Sequence, residues 1–233
     1  MRYRSWLIDE QSYAGREHLD SEYVNRYDRK AGFDATNEIA NLSSLGVGPG
    51  TVLVDLGAGT GELAFAAAQI CDQVIAVDVS PAMVEAMRAK AQMRGATNLK
   101  IVHAGLLTYE NQGQPVDFVY TRHALHHLPD FWKTIALGRM SRLLKPGGTL
   151  RLIDLVFSFE PNEADHVIEA WLEGASKEPE LGWTRRELEL HLRQEYSTYT
   201  WLLEPMLRRA GLEIVDAAYA GSKVHASYTC VKR

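Results

Sequence analysis

The stretch that most constrains this chain is Val52-Leu-Val-Asp-Leu-Gly-Ala-Gly-Thr-Gly61, an apolar run carrying one acid that breaks into glycines at 57, 59 and 61. It reads as a buried strand turning tightly into a helix, because glycine alone enters positive-φ turns without steric cost. At such a turn the first helical N–H groups have no intrahelical partner, so the backbone itself can hold the polar part of a nucleotide-like ligand. Asp78 closes the next apolar run, 21 residues after Gly57. That is near the spacing of about 20 expected of a carboxylate that accepts both hydroxyls of a ribose. A dinucleotide fingerprint requires its third glycine at position 62, where this chain has Glu62. The spacing argues against NAD or FAD.

Apolar runs of strand length then alternate with helical patterns. Residues 51–56, 74–77, 99–102, 118–120 and 149–155 read as strands, and 61–70, 81–94 and 130–144 as helices. The runs are nearly continuous Val, Ile and Leu, as expected of parallel strands covered on both faces. The fold class is therefore α/β, a doubly wound Rossmann-like parallel sheet. Two polar helical stretches within 17–45 lead into it, so 1–46 is expected as a helical lead-in and 47–233 as the main domain. Segments 213–219 and 224–231 flank Gly221 and are expected to pair antiparallel at the end of the sheet. Between them and the core lies an insert at about 156–200, expected to be a helical cap. Its second helix opens with Thr184 and Glu187 in capping-box spacing.

The 233 residues carry a formal charge of −5. No global cationic field gathers phosphate backbones, so nucleic acid is disfavoured as a partner. The insert holds ten acidic side chains against four Lys/Arg, and the rest of the chain is close to neutral. Two cysteines, Cys71 and Cys230, are too few for a structural zinc site and are expected as buried thiols. No run of about 18 apolar residues occurs, and the first residues lack an apolar leader core. No membrane partner is expected, the expected location is the cytoplasm, and a homodimer is compatible with the composition.

Asp55, Gly57, Gly59, Gly61, the acid Asp78 and the later Leu144-Lys-Pro-Gly-Gly-Thr-Leu150 turn together resemble the class I S-adenosylmethionine-dependent methyltransferases, over about residues 47–155. The resemblance implies a seven-stranded, mostly parallel sheet with an antiparallel last strand, and S-adenosylmethionine as cofactor with S-adenosylhomocysteine as product. It implies cofactor contacts at Tyr27, Asp55, Gly57, Ala58, Gly59, Gly61, Asp78, Val79, Met83, Gly105, Leu106, Arg122 and His127. One departure stands out. Many members of the family follow the third strand with an acid for the adenine amine, whereas this chain reads Val102-His-Ala-Gly-Leu-Leu-Thr108. The adenine must be held otherwise, with the Leu106 amide and apolar contact from Val79 as candidates.

After the fourth strand comes Tyr120-Thr-Arg-His-Ala-Leu-His-His-Leu-Pro-Asp130. His123, His126 and His127 have a spacing that could share a helical face and chelate a metal. A similar Leu-His-His-x-Pro-Asp stretch is typical of the small-molecule, ubiquinone-biosynthesis-like branch of the same family. There it forms part of the cofactor and substrate wall, and no metal is expected. His123 is the candidate catalytic base, and His126, Asp154, Trp171 and Tyr199 are candidate acceptor contacts. Arg122 could equally hold an anionic acceptor. Cap aromatics such as Phe157, Phe159, Trp183, Tyr196 and Trp201 line a pocket or pack among themselves. The acceptor is expected to be a small organic molecule, methylated on O, N or C. The alternatives are cofactor-dependent chemistry that transfers no methyl group, and a non-catalytic module that keeps the fold.

Overall fold

The computed structural model describes residues 5–15 and 17–233. Its centre is a seven-stranded sheet in the order β3-β2-β1-β4-β5-β9-β8. The parallel strands are β1 (Val52–Leu56), β2 (Gln73–Asp78), β3 (Leu99–His103), β4 (Val116–Arg122) and β5 (Leu144–Asp154). β8 (Leu212–Tyr219) and β9 (Ala226–Lys232) pair antiparallel, and β9 also runs antiparallel to β5, so the last strand is the inverted one.

Alternate residues of the strands enter two cores, which is why the runs are apolar throughout. On one face Val54, Leu56, Ile75, Val77, Leu150 and Leu152 pack with α5 (Asp130–Leu143) and α8 (Thr200–Arg209). On the other, Leu53, Val74, Phe118 and Tyr120 pack with α3 (Glu62–Ala67), with Met87 of α4 (Pro81–Arg94), and with Leu42 of the lead-in helix α2 (Thr36–Ser44). Local signals set the helix ends. The Ser80 hydroxyl accepts from the Met83 amide at 3.2 Å, Pro81 opens α4, and Gly95 closes it at φ 63°. Cys71 and Cys230 are buried free thiols.

The Leu144–Leu150 segment, read from sequence as a turn, is absorbed into β5. Leu144 pairs with Val116, the ladder shifts, and Thr149 resumes opposite Phe118. The intervening Lys-Pro-Gly-Gly is an irregularity within one strand rather than a break between elements.

After Asp154 the chain makes a short strand β6 (Val156–Phe157), which pairs in parallel with β7 (Thr198–Tyr199). This two-stranded base closes off the insert, whose helices are α6 (Ala164–Glu173) and α7 (Arg185–Gln194). The Thr184 and Glu187 capping box forms as the spacing predicts. Among the described residues no helix is long and apolar enough to cross a membrane.

Candidate active site

All five parallel strands end at one edge, and the glycine loop follows β1 there. Gly57 and Ala58 both donate to the Val77 carbonyl, at 2.8 and 3.0 Å, tying the loop to β2. Gly57 has φ 76°, and a Cβ built on it would lie 2.4 Å from the Ala124 Cβ. Position 57 is therefore closed to any side chain. Asp78 is buried at the end of β2, and its two oxygens accept from the Gly59 and Ser80 amides, each at 2.8 Å. Burial pushes its carboxyl up to about 6, against the pull of the Ser80 and Gly59 amides. Asp55 is buried at the end of β1, and burial together with the nearby Asp78 raises it to about 8.

The lead-in covers this loop from above. α1 (Ser21–Ala31) is fixed by Asp28, which accepts from the Thr60 hydroxyl and from Lys90 Nζ at 2.5 Å. Lys90 also reaches Glu62 at 2.7 Å. Tyr27 is thereby held over Gly59, its ring 3.8 Å from where a Cβ would stand. Burial, with Asp78 adding to it, pushes the Tyr27 phenol up to about 12. Nearer the N-terminus a single 3-10 turn, Glu10–Tyr13, delivers Glu10 to the loop after β3. The Glu10 carboxylate accepts from the Leu107 amide at 2.9 Å and the Thr108 hydroxyl at 3.1 Å. Burial raises its carboxyl above the ordinary range. A Cβ added at Gly105 would fall 2.4 Å from both Glu10 oxygens. Glu10 thus puts a carboxylate where a side chain at position 105 would have pointed.

Two cavities meet at this edge. The smaller, about 90 Å³, is lined by Glu10, Asp78, Val79, Met83, Gly105 and Leu106 among others. The larger, about 900 Å³, lies between the sheet edge and the cap and includes Asp55, Ala58, Trp171, Trp183 and His191. Tyr27, Gly57, Gly59, Arg122, His123 and His127 line both. The cap meets the lead-in across the larger cavity through Lys30 and Glu187, 2.5 Å apart, with Lys30 only 7% exposed. Arg122 lays its guanidinium over the Phe33 ring at 4.1 Å.

The histidine run is a single 3-10 turn, Leu125–His127, not a helical face. His123 lies before it at φ 49°, its backbone in the left-handed region. Its Nδ1 is buried without a hydrogen-bond partner, and burial lowers the imidazole to about 3. His123 is therefore neutral at physiological pH. Burial, then the neighbouring His126, keeps His127 neutral as well. His126 differs. Burial alone would depress it, but Asp154 and Glu195 on either side lift it to about 9.

Residues 53–148 match the model of the methyltransferase domain family. An uncharacterized methyltransferase of Geobacillus kaustophilus (strain HTA426) is 30% identical over 157 residues, 61% of this chain and 69% of the relative. One from Geobacillus sp. (strain WCH70) is 30% identical over 152 residues, 61% and 70% of the two chains. This chain is a methyltransferase. Its fold is that of the magnesium protoporphyrin IX methyltransferase of Synechocystis PCC 6803, solved with bound S-adenosylmethionine, at TM-score 0.66 and 18% identity, covering 99% of this chain and all of that one. The cyclase SpnF shares the fold at TM-score 0.63 and 18% identity, over 85% of this chain and 81% of that one.

The cofactor of this class I methyltransferase is S-adenosylmethionine, and the lining of the small cavity suits its nucleoside end. It offers a buried carboxylate for vicinal hydroxyls at Asp78, apolar walls at Val79, Met83 and Leu106, and a glycine loop closed to side chains at Gly57. Of the residues expected around the cofactor, Gly61 lines neither cavity; its Cβ position faces Met87 and Phe65, so it serves helix packing. Of the expected acceptor contacts, His126 and Trp171 line the large cavity. Asp154 does not, because it lies behind His126 and accepts the Leu125, His126 and Leu155 amides. Tyr199 also faces away, packed on Phe157, Phe159 and Trp201 in the cap's own cluster. Glu10, Glu195 and His225 enter the cavities without any sequence signal, each an ordinary polar residue far from the glycine motif.

Proposed function

We propose that this methyltransferase acts on O, N or C of a small organic acceptor held in the large cavity, beside a cofactor whose nucleoside end enters the small one and whose remainder lies along the wall the two cavities share. The observation that carries the reading is the shared wall: His123 and His127 line both cavities, so groups bound in the two meet at neutral imidazoles. When bound, S-adenosylmethionine supplies an electrophilic methyl group on a sulfonium and leaves as S-adenosylhomocysteine.

The chain's own residues divide the remaining work. Asp78 accepts the ribose hydroxyls, and Glu10 takes the adenine amine in place of the acid absent after β3. Arg122 makes no ion pair among the described residues and can hold a carboxylate. His123, expected from sequence as a base, is pulled by burial to about 3, too weak to take a proton near pH 7. Its contribution is orientation: the unpartnered Nδ1 accepts a hydrogen bond from the acceptor and turns the nucleophilic atom toward the methyl group. The enclosing cap and the cavity's apolar side chains, Trp171, Trp183, Leu181 and Leu188, favour a compact, partly apolar acceptor over a polymer.

The test is to incubate the protein with S-adenosylmethionine labelled in its methyl group and a fractionated cell extract. Label is expected in a low-mass compound one methyl group heavier than its precursor. Label in nucleic acid or protein alone would overturn the acceptor class. Consumption of a small substrate without label would point to chemistry that transfers no methyl group.

A further inference from the structure

On the wall of the large cavity, three imidazoles converge on one carboxylate. Glu195 Oε2 stands 2.9 Å from His126 Nε2, 2.8 Å from His191 Nδ1 and 3.5 Å from His127 Nδ1. These are ion-pair distances, with the rings set off the ideal hydrogen-bond angle to the oxygen. Glu195 Oε2 and His127 Nδ1 are buried atoms without hydrogen-bond partners. Leaving such groups unmade is costly, so the arrangement needs a further partner.

The far nitrogens of two rings are already occupied. His126 Nδ1 bonds to Asp154 Oδ1, and Asp154 is itself held by three backbone amides. His191 Nε2 lies 2.8 Å from the Ser197 hydroxyl. Each outer bond fixes its ring and leaves the other nitrogen facing the cluster. A ligating histidine is held in this way, its second nitrogen tied to a carboxylate or hydroxyl that sets tautomer and orientation. The spacing agrees. The His126, His127 and Glu195 donor atoms lie within 4.8 Å of one another, and His191 Nδ1 joins the group through Glu195 at 2.8 Å; ligands about 2.0–2.2 Å from one ion stand roughly 3.4 Å apart in a tetrahedron, so the rings, His191 most of all, would close inward on the ion.

We infer that His126, His127, His191 and Glu195 form a binding site for a divalent transition metal, with Asp154 and Ser197 as its outer shell. Three imidazoles and one carboxylate suit zinc, cobalt or iron rather than magnesium or calcium, which select oxygen. The chain joins the 3-10 turn after β4 to the end of α7 in the cap, so an ion would also pin the cap to the sheet edge. All four residues line the large cavity, where an acceptor oxygen can complete the coordination. That last role rests on the functional reading above; the existence of the site does not.

The experiment uses the full chain, stripped with chelator and titrated with Co(II). One equivalent is expected to bind, with the visible absorption of a four- or five-coordinate nitrogen and oxygen site. Zinc is expected to displace it and to raise the thermal midpoint of the wild-type protein. Glu195→Gln and His191→Ala are each expected to abolish the spectrum, whereas His166→Ala, at an exposed cap histidine, retains it. Absence of stoichiometric binding by the wild type overturns the site, as does an unchanged spectrum in the Glu195→Gln/His191→Ala double variant. Titration of the same samples with S-adenosylmethionine shows that the variants fold, and it separates failure of the metal site from failure of the methyltransferase reading.

Discussion

On the glycine-loop side of the cavities the polar contacts are made largely by backbone: Gly57, Ala58, Gly59 and Ser80 amides organise the turn and the Asp78 carboxylate. On the cap side they are made by side chains from distant segments, His126 and His127 after β4, His191 on α7 and Glu195 at its C-cap, and Lys30 on the lead-in. A backbone-built surface depends on where glycine permits a turn, so many sequences around it give the same cradle. A surface built from side chains changes with every substitution. The first kind can serve one cofactor across a whole family, while the second can be redrawn for each acceptor.

That contrast can be broken by experiment. The largest effect is expected at Asp78. Two hydrogen bonds to a charged acceptor contribute about 1.5–3 kcal/mol each, so Asp78→Ala should weaken S-adenosylmethionine binding by about a hundredfold or more, measured by isothermal titration. Because the hydroxyls need the ionised carboxylate, wild-type affinity should also fall as pH drops below about 6, approaching tenfold per pH unit. In Asp78→Ala that dependence should vanish. If the variant binds as tightly as wild type, the cradle does not hold the ribose.

At the shared wall, His123→Asn keeps a residue that tolerates the left-handed backbone but withdraws the ring. It should lower kcat about tenfold with cofactor affinity unchanged, as expected when one orienting hydrogen bond is lost. A fall in cofactor affinity of the same size would move His123 to the cofactor side of the comparison.

Glu10→Ala should weaken cofactor binding by about tenfold, the effect of one charge-assisted hydrogen bond. Adding Gly105→Asp to the same chain should recover much of it, since a side chain at 105 points to the space Glu10 fills. Equal binding by Glu10→Ala and wild type would leave Glu10 as a strut for the loop after β3. Smallest of all, Trp171→Ala should raise the acceptor's KM several-fold and leave cofactor affinity alone. An equal change in both would show that the cap is not a separate acceptor surface.

How much of this was legible in the sequence follows the same division. The strands, the glycine turn, the Asp78 spacing and the antiparallel end of the sheet all follow from short-range patterns, because parallel strands buried on both faces are apolar without interruption. The count of seven strands and the inverted last strand came from the family resemblance and agree with the structure. Gly61 shows the limit of motif reading: its spacing matches the loop, but its space is taken by Met87 and Phe65. Asp154 and Tyr199 sit at the right sequence positions and face the wrong way, one locked behind His126 and the other turned into the cap's aromatic cluster. His191 and Glu195 are one helical turn apart in an acidic insert, and nothing local says that they meet His126. Their encounter depends on how the insert folds back over the sheet, set by β6 pairing with β7 across about forty residues.

The Glu10 carboxylate is an exchange of address. A reader who compares chains position by position would score Gly105 as a deletion of chemistry, since the loop after β3 has lost its acid. If Glu10 takes the adenine amine as proposed, the carboxylate stands where a side chain at 105 would have pointed, and only the segment that carries it differs. Removing the Glu10–Tyr13 turn would then take that carboxylate out of the small cavity's lining, although no motif lies near that segment.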